Sequence, residues 1–356
     1  MTARLWVAGG TQGRAASVAA RGRHTPLYTA GVLASLDADH ALRVEQRDVS
    51  NCGQGSVFKG ISTVPGGRSG DGLLLCHDAE VLGPLGHRAS LPMSSHTSPR
   101  RSHRLYNDVH HAIEYLGARY VVSTGLGAVL VHDDLDADVH VHAVGALPVP
   151  PDGDHRRTPL RSAAHPNHLF VHDDRVWVTR GGHGDAVSLE FTADRAPSRS
   201  RVTATPDVGG RSASGPEFLH RWPIADVVLH DGVVRPDGIW FTAVDGHLLR
   251  VDPERGQVDR EIRLDAMSSR APPLGWCRGL AFVDDLVWVG FTRLRATTLR
   301  RNLAWVRGLL RGQQHATPHP TRLVAYDLAR GSEVIEVRTD APTVAMDAIF
   351  GLEAAP

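Results

Sequence analysis

The sequence predicts an all-β fold, a six-bladed β-propeller forming one domain over residues 1–356, and three patterns carry that expectation. Apolar and polar residues alternate in runs of five to eight bounded by Asp-Asp, Asp-Gly or Gly-Gly, which is how a half-buried strand reads. Four of these runs are alike: Arg4-Leu-Trp-Val-Ala8, Arg175-Val-Trp-Val-Thr179, Gly238-Ile-Trp-Phe-Thr242 and Leu286-Val-Trp-Val-Gly290. The three internal ones follow a run ending in an acidic or glycine turn and precede a strand such as Leu248-Leu-Arg-Val-Asp252 or Leu323-Val-Ala-Tyr-Asp327. About four strands therefore repeat, as in a propeller blade.

Taken in order, residues 1–48 hold three strands (around Leu5, Gly31–Asp37 and Leu42–Glu45) that belong to no unit of their own. Six units then begin at Val57-Phe-Lys-Gly-Ile61, Tyr106-Asn-Asp-Val-His110, His165-Pro-Asn-His-Leu169, Leu229-His-Asp-Gly-Val233, Trp276-Cys-Arg-Gly-Leu280 and Ala345-Met-Asp-Ala-Ile349. The last has room for one strand before Pro356, so the N-terminal strands are expected to complete its sheet and close the ring as a clasp, which removes exposed sheet edges. Pro148–Ala164 and Asp194–Pro223 read as insertions. Residues 292–315 differ, because Leu299, Leu303, Val306 and Leu310 recur at helical spacing and predict a short inserted helix.

Composition narrows the function. With 39 basic and 39 acidic side chains the net charge is zero, and no basic run is interleaved with aromatics, so a nucleic-acid partner is not expected. The most apolar stretch, Tyr120–His132, is short and broken by Ser, Thr and Gly, and the start Met-Thr-Ala-Arg-Leu-Trp lacks an apolar signal segment; a cytoplasmic protein with no membrane partner is expected. Three cysteines, Cys52, Cys76 and Cys277, have no Cys-x-x-Cys spacing and indicate neither a disulfide framework nor a cysteine-only zinc site. Lysine occurs once, at Lys59, against 38 arginines (39 basic residues less that one), and asparagine only at positions 51, 107, 167 and 302. In a chain that has exchanged lysine for arginine elsewhere, the survivors mark positions where the exchange is not tolerated.

Aligned at the unit starts stand Lys59, Asp108, Asn167, Asp231, Arg278 and Asp347, all polar in strands that continue into apolar residues. Charges facing a narrow channel are costly unless paired or used. Histidines gather beside them: His110, His111, His165, His168 and His230, from three consecutive units. Neutral imidazole is the commonest metal ligand, so a divalent ion (Zn, Fe, Mn or Cu, with Ca for an oxygen-ligated site) is expected among His110, His165, Asn167, His230 and Asp231. Lys59, Asp108 and Arg278 would act on a small polar or anionic substrate, with Asn107, His111, His168 and Asp347 lining it. Neighbours in a strand face opposite ways, so only one of His110 and His111 is expected in the channel. The competing expectation is a structural ring of ion pairs in a ligand-binding or scaffold propeller. Cys277, next to Arg278, reads either as a thiolate or, more often for such a residue, as a small buried apolar side chain.

Phe58-Lys-Gly60, Asn107-Asp-Val-His-His111, His165-Pro-Asn167, His230-Asp-Gly-Val-Val234, Val244-Asp-Gly-His247, Gly275-Trp-Cys-Arg-Gly279 and Val289-Gly-Phe-Thr-Arg293 together resemble a largely uncharacterised bacterial β-propeller family. More remotely, Pro166-Asn167 and His230-Asp231-Gly232 are similar to strand starts of gluconolactonase- and regucalcin-like six-bladed propellers. That resemblance implies a divalent cation held by Asn167 and Asp231 and ester or lactone hydrolysis. Two positions depart from it: His168 replaces a glycine, and Lys59 stands where an acidic ligand would be. Those departures leave open a histidine-assisted transition-metal site, including an oxygenase, lyase chemistry, or no metal.

Overall fold

Each expected unit folds into a four-stranded antiparallel sheet in the computed structural model of the chain, which describes residues 4–12, 28–49, 57–64, 72–86, 100–132, 139–150, 152–156, 160–189, 218–294 and 319–355. The chain opens with β1 (Arg4–Gln12), β2 (Tyr28–Leu36) and β3 (Leu42–Asp48). Blade one is β4 (Phe58–Val64), β5 (Gly72–His77), β6 (Glu80–Gly86) and β7 (Arg100–Arg101). Blade two is β8 (Val109–Tyr115), β9 (Ala118–Ser123), β10 (Ala128–His132) and β11 (Val139–Ala143). Blade three is β12 (Pro166–His172), β13 (Arg175–Arg180), β14 (Asp185–Leu189) and β15 (Arg221–Pro223). Blade four is β16 (Leu229–Arg235), β17 (Gly238–Ala243), β18 (His247–Asp252) and β19 (Gln257–Arg263), followed by a single helical turn, α1 (Leu264–Met267). Blade five is β20 (Trp276–Val283), β21 (Leu286–Thr292), β22 (Arg322–Asp327) and β23 (Ser332–Arg338). The final strand, β24 (Ala348–Ala355), joins β1, β2 and β3 in blade six.

The first strand of every blade packs against the first strand of the next, and β24 packs against both β20 and β4, so the six sheets close a ring. The clasp forms as the sequence predicts: β1 lies antiparallel between β24 and β2, with Leu5 opposite Ala354 and Val7 opposite Leu352. The predicted helix in 292–315 lies largely outside the described residues; Thr292 ends β21. No helix among the described residues is long and apolar enough to cross a membrane.

The repeated Trp-centred strands are buried on both faces rather than one, because each second strand stands between two neighbouring blades. In β13, Val176 and Val178 pack toward blade two while Trp177 packs toward blade four. In β17, Ile239 and Phe241 face blade three and Trp240 faces blade five. In β21, Val287 and Val289 face blade four and Trp288 faces blade six; in β1, Leu5 and Val7 face blade five and Trp6 faces blade one. Strand alternation thus divides one run of apolar residues between two cores. The outermost strands β3, β19 and β23 carry the exposed charge.

Every innermost strand slips its pairing register near its start: at Phe58/Gly60, Val109/His111, Pro166/Leu169, Leu229/Gly232, Arg278/Leu280 and Ile349/Gly351. Extra residues in a strand bend it and re-aim side chains. The residues freed from pairing in this way are Lys59, His110, Asn167, His168, His230, Asp231, Gly279 and Phe350.

Deleting residues 1–48 removes three of the four strands of blade six and strips β24 of its partner. The truncated protein is expected to be insoluble or to unfold without a cooperative transition, as read by sedimentation and by circular dichroism on heating. A soluble product with a sharp melt would show that closure does not depend on the clasp.

Candidate functional site

The bulged residues converge because neighbouring inner strands approach very closely. A Cβ at Gly60 would stand 1.9 Å from the carbonyl oxygen of His110, and Gly279 has φ of +76° with Leu352 beside it. Only glycine fits these two positions, and the residue before each, Lys59 and Arg278, is thereby turned into the ring.

Lys59 Nζ forms ion pairs with the carboxylates of both Asp78 and Asp108, its side chain 11% exposed. Burial disfavours its charge, but Asp108 and Asp78 outweigh burial and its pKa is raised. It is a fixed ammonium. Asp108, in the left-handed region at φ +55°, also lies 3.3 Å from His110 Nε2; burial notwithstanding, Lys59 and His110 hold its carboxyl well below the usual range. Burial pushes Asp78 upward, only partly opposed by Lys59. Asp347, the other residue aligned with Lys59, turns away and accepts the Gln12 N–H at 2.9 Å.

The five clustered histidines divide into two sets. His111 and His168 stack with centroids 3.9 Å apart. His111 Nε2–H donates to the Ile61 carbonyl at 3.2 Å and its Nδ1 accepts the Leu169 N–H at 3.2 Å, so its capacity is filled by backbone. His110, His165 and His230 form the other set, the His110 ring centroid standing 5.6 Å from that of His165 and 6.2 Å from that of His230. His230 Nδ1 is 3.0 Å from Asp231 Oδ2, an oxygen that also accepts from Thr242 Oγ1 at 3.1 Å and the Gly279 N–H at 2.6 Å. His110 and His230 each therefore have one ring nitrogen on a carboxylate, while the other, His110 Nδ1 and His230 Nε2, is buried with no hydrogen-bond partner among the described residues. Asn167 repeats the pattern: Nδ2–H donates to the Leu229 carbonyl at 2.7 Å and Oδ1 is buried without a partner. Burial pushes His165 down to about 3, so its imidazole is neutral.

Arg278 lines the same space, its Cζ 4.7 Å from the Phe350 ring centroid and 5.7 Å from that of Trp276. Burial pushes the adjacent Cys277 thiol well above its usual value, so it is the buried apolar residue and no thiolate. Asn107 is buried at the entry to blade two, where its backbone N–H meets Ser123 Oγ at 3.1 Å and its side-chain amide donates to the His155 carbonyl, tying down the loop before blade three.

Among the described residues no three His, Cys, Asp or Glu side chains are gathered closely enough to hold a metal ion as they stand. The donor chemistry nevertheless suits a nitrogen-ligated ion: two histidines have a carboxylate behind them and an unpartnered nitrogen in front, the arrangement that fixes metal-binding imidazoles. Of the oxygens that the remote resemblance implies as ligands, Asp231 Oδ2 is already shared by three donors, whereas Asn167 Oδ1 is without one.

Alignment of unit starts missed Asp78, Phe350 and the hydroxyls that fasten the bulges. Thr179 Oγ1 accepts the His168 N–H at 3.0 Å and donates to the His230 carbonyl at 3.0 Å; Thr242 Oγ1 accepts the Asp231 N–H at 3.3 Å; Thr292 Oγ1 accepts the Ile349 N–H at 2.9 Å. The signal was the threonine that recurs at or just beyond the end of each internal Trp-centred run.

Comparison with known proteins shows the fold. No family model matches the chain and no curated protein matches it. Among solved structures, it is similar to a protein of unknown function from Bacteroides caccae (10% identity, 99% of each chain, TM-score 0.58) and to a nidogen/laminin complex chain (8% identity, 99% of this chain and 98% of that one, TM-score 0.51). A putative 6-phosphogluconolactonase from Bacteroides fragilis NCTC 9343 aligns over 99% of this chain and 98% of its own at 9% identity and a TM-score of 0.47, too low to bear on function.

Two outcomes follow from these contacts. Lys59→Met leaves Asp78 and Asp108 buried without their cation and is expected to cost roughly 3–5 kcal/mol in denaturant unfolding; a loss within error would mean that the pairs contribute nothing. Burial holds His111 well below its ordinary value and His132 and His168 at about 4. Below pH ~6.5 the unfolded chain takes up protons that the folded one refuses, so stability is full above that pH and falls as pH drops toward 4, each histidine adding up to about 1.4 kcal/mol per pH unit. Urea midpoints at pH 7.5 and 5 measure it; equal midpoints would contradict the neutral, buried assignment.

Proposed function

We propose that the protein is a metal-dependent enzyme acting on a small polar or anionic molecule in the propeller channel, with His110, His165 and His230 holding a divalent transition-metal ion and Asn167 Oδ1 beside them. The observation that carries this reading is the pair of buried, unpartnered nitrogens, His110 Nδ1 and His230 Nε2, on rings backed by Asp108 and Asp231. Native proteins rarely leave such atoms unfilled, and two facing one space call for a common partner. When bound, such an ion supplies Lewis acidity or an activated water, suited to hydrolysis of a lactone or ester or to a lyase step.

The chain's own residues then have separable tasks. Asp108 and Asp231 accept from one nitrogen of their histidines and so set the tautomer that leaves the other as a lone-pair donor. Lys59 keeps Asp108 ionised. Thr242 and the Gly279 N–H fix Asp231. A three-histidine set also suits an oxygenase. A second reading, a ligand-binding or scaffold propeller without catalysis, draws on the Lys59 ion pairs and the His111–His168 stack, which are satisfied within the protein.

Elemental analysis of purified protein tests the proposal. About one equivalent of Zn, Fe, Mn or Cu per chain is expected, reduced by His110→Ala, His165→Ala or His230→Ala and retained by His140→Ala and His142→Ala on β11. Metal-free wild type, or equal loss from both groups of variants, would overturn it in favour of the second reading.

A further inference from the structure

Arg278 differs from the other enclosed arginines. Arg180 is bound by Asp185 through two of its nitrogens, Arg119 by Glu114, and Arg322 lies 3.2 Å from Glu336 and donates to the Leu274 and Pro320 carbonyls. Arg278 has no hydrogen bond or ion pair among the described residues, and its Nε is buried without an acceptor. Asp108 and Asp231 are the carboxylates that face it, and both are committed, the first to Lys59 and His110, the second to His230, Thr242 and Gly279. The neutral imidazole of His165 and the Tyr28 phenol are its other titratable neighbours among the described residues.

Arg278 is half-buried with its Nε enclosed, and a guanidinium, charged at any ordinary pH, gains from a counter-charge placed against it. We propose that Arg278 is the subsite for the carboxylate of a monoanionic ligand whose body lies against Phe350, Trp276 and Tyr28. The rings of Phe350 and Trp276 take the apolar contact of the guanidinium and leave its N–H edges for an acceptor, and a carboxylate offers two coplanar oxygens to such an edge. Tyr28 meets Phe350 edge-on at 5.6 Å and extends the apolar wall beside it. A phosphate dianion suits the place less well. Lys59 is matched by two carboxylates, so Arg278 is the uncommitted cation among the described residues of the inner-strand starts, and a second negative charge would meet Asp108 and Asp231.

The assignment rests on the channel being a small-molecule site and not on the metal. Benzoate is the probe, with benzamide as its uncharged counterpart and inorganic phosphate as the other anion. Titration calorimetry is run on the full chain as purified and after dialysis against EDTA. Saturable benzoate binding is expected in both preparations, with benzamide and phosphate weaker by about tenfold or more, and Arg278→Met or Arg278→Gln losing about tenfold in benzoate affinity. Ligand-free Arg278→Met should melt no lower than wild type, because no protein partner is orphaned, whereas a structural arginine would lower the melt on removal. Absent benzoate binding, equal binding of benzamide, tighter binding of phosphate, or unchanged affinity in the variants overturns the assignment. Arg278-dependent benzoate binding in a protein shown to be metal-free would retain this subsite and remove the metal; bound metal with Arg278-independent binding would do the reverse.

Discussion

The convergence of six inner strands on one axis is the constraint from which the rest of the molecule follows. Straight, regularly paired strands would bring Cβ atoms into their neighbours' backbones, as the 1.9 Å approach at Gly60 shows. The chain answers with a register slip in each inner strand and with glycine where two backbones meet most closely. A bulge leaves residues outside the ladder, and those residues face the channel. Their backbone groups need new partners, and the hydroxyls of Thr179 and Thr242 supply them to His168 and Asp231 from the second strands. The fold and the candidate site therefore have the same origin.

Within that ring the polar residues fall into two states, and the difference lies in their partners. Lys59 is ion-paired to both Asp78 and Asp108, and His111 is bonded at both nitrogens; these groups find their partners within the protein. His110, His230 and Asn167 are finished on one side only, and Arg278 on none. A buried polar group without a partner costs about 1–3 kcal/mol, so four of them on the inner strands are expensive to maintain for packing alone. Residues that complete one another belong to the scaffold. Residues completed on one side only keep a donor or acceptor that a ligand could fill, which is what the proposed function draws on.

The blade count, the clasp and the channel position of the charged residues were legible in the sequence because each rests on a repeat, and a repeat can be aligned without coordinates. Asp347 differs from the other aligned residues because blade six begins in a turn: Ala345 has φ of +49° and β24 starts only at Ala348, and the Asp347 carboxylate accepts the Gln12 N–H. Asp78 was hidden because it lies in the turn between β5 and β6, at no repeated position, and reaches Lys59 only through the fold. Alternation correctly separated His110 from His111. It could not show that His168 would join His111, because two residues rather than one are displaced in the bulge of β12.

The solitary lysine and the cation at 278 show how the choice of basic residue follows from geometry. At position 59 the charge sits between two carboxylates in a space that leaves the side chain 11% exposed, and a compact ammonium with three rotatable donors reaches both. A planar guanidinium would demand more volume and a fixed fork. At position 278 the neighbours are rings, over which a delocalised, weakly hydrated cation rests more favourably than an ammonium. A chain in which arginine has replaced lysine elsewhere thus keeps lysine at the cation that must be shared between two fixed carboxylates. Asn107 and Asn167, the two described asparagines, meet a similar limit: each amide donates to a backbone carbonyl, which aspartate could not do.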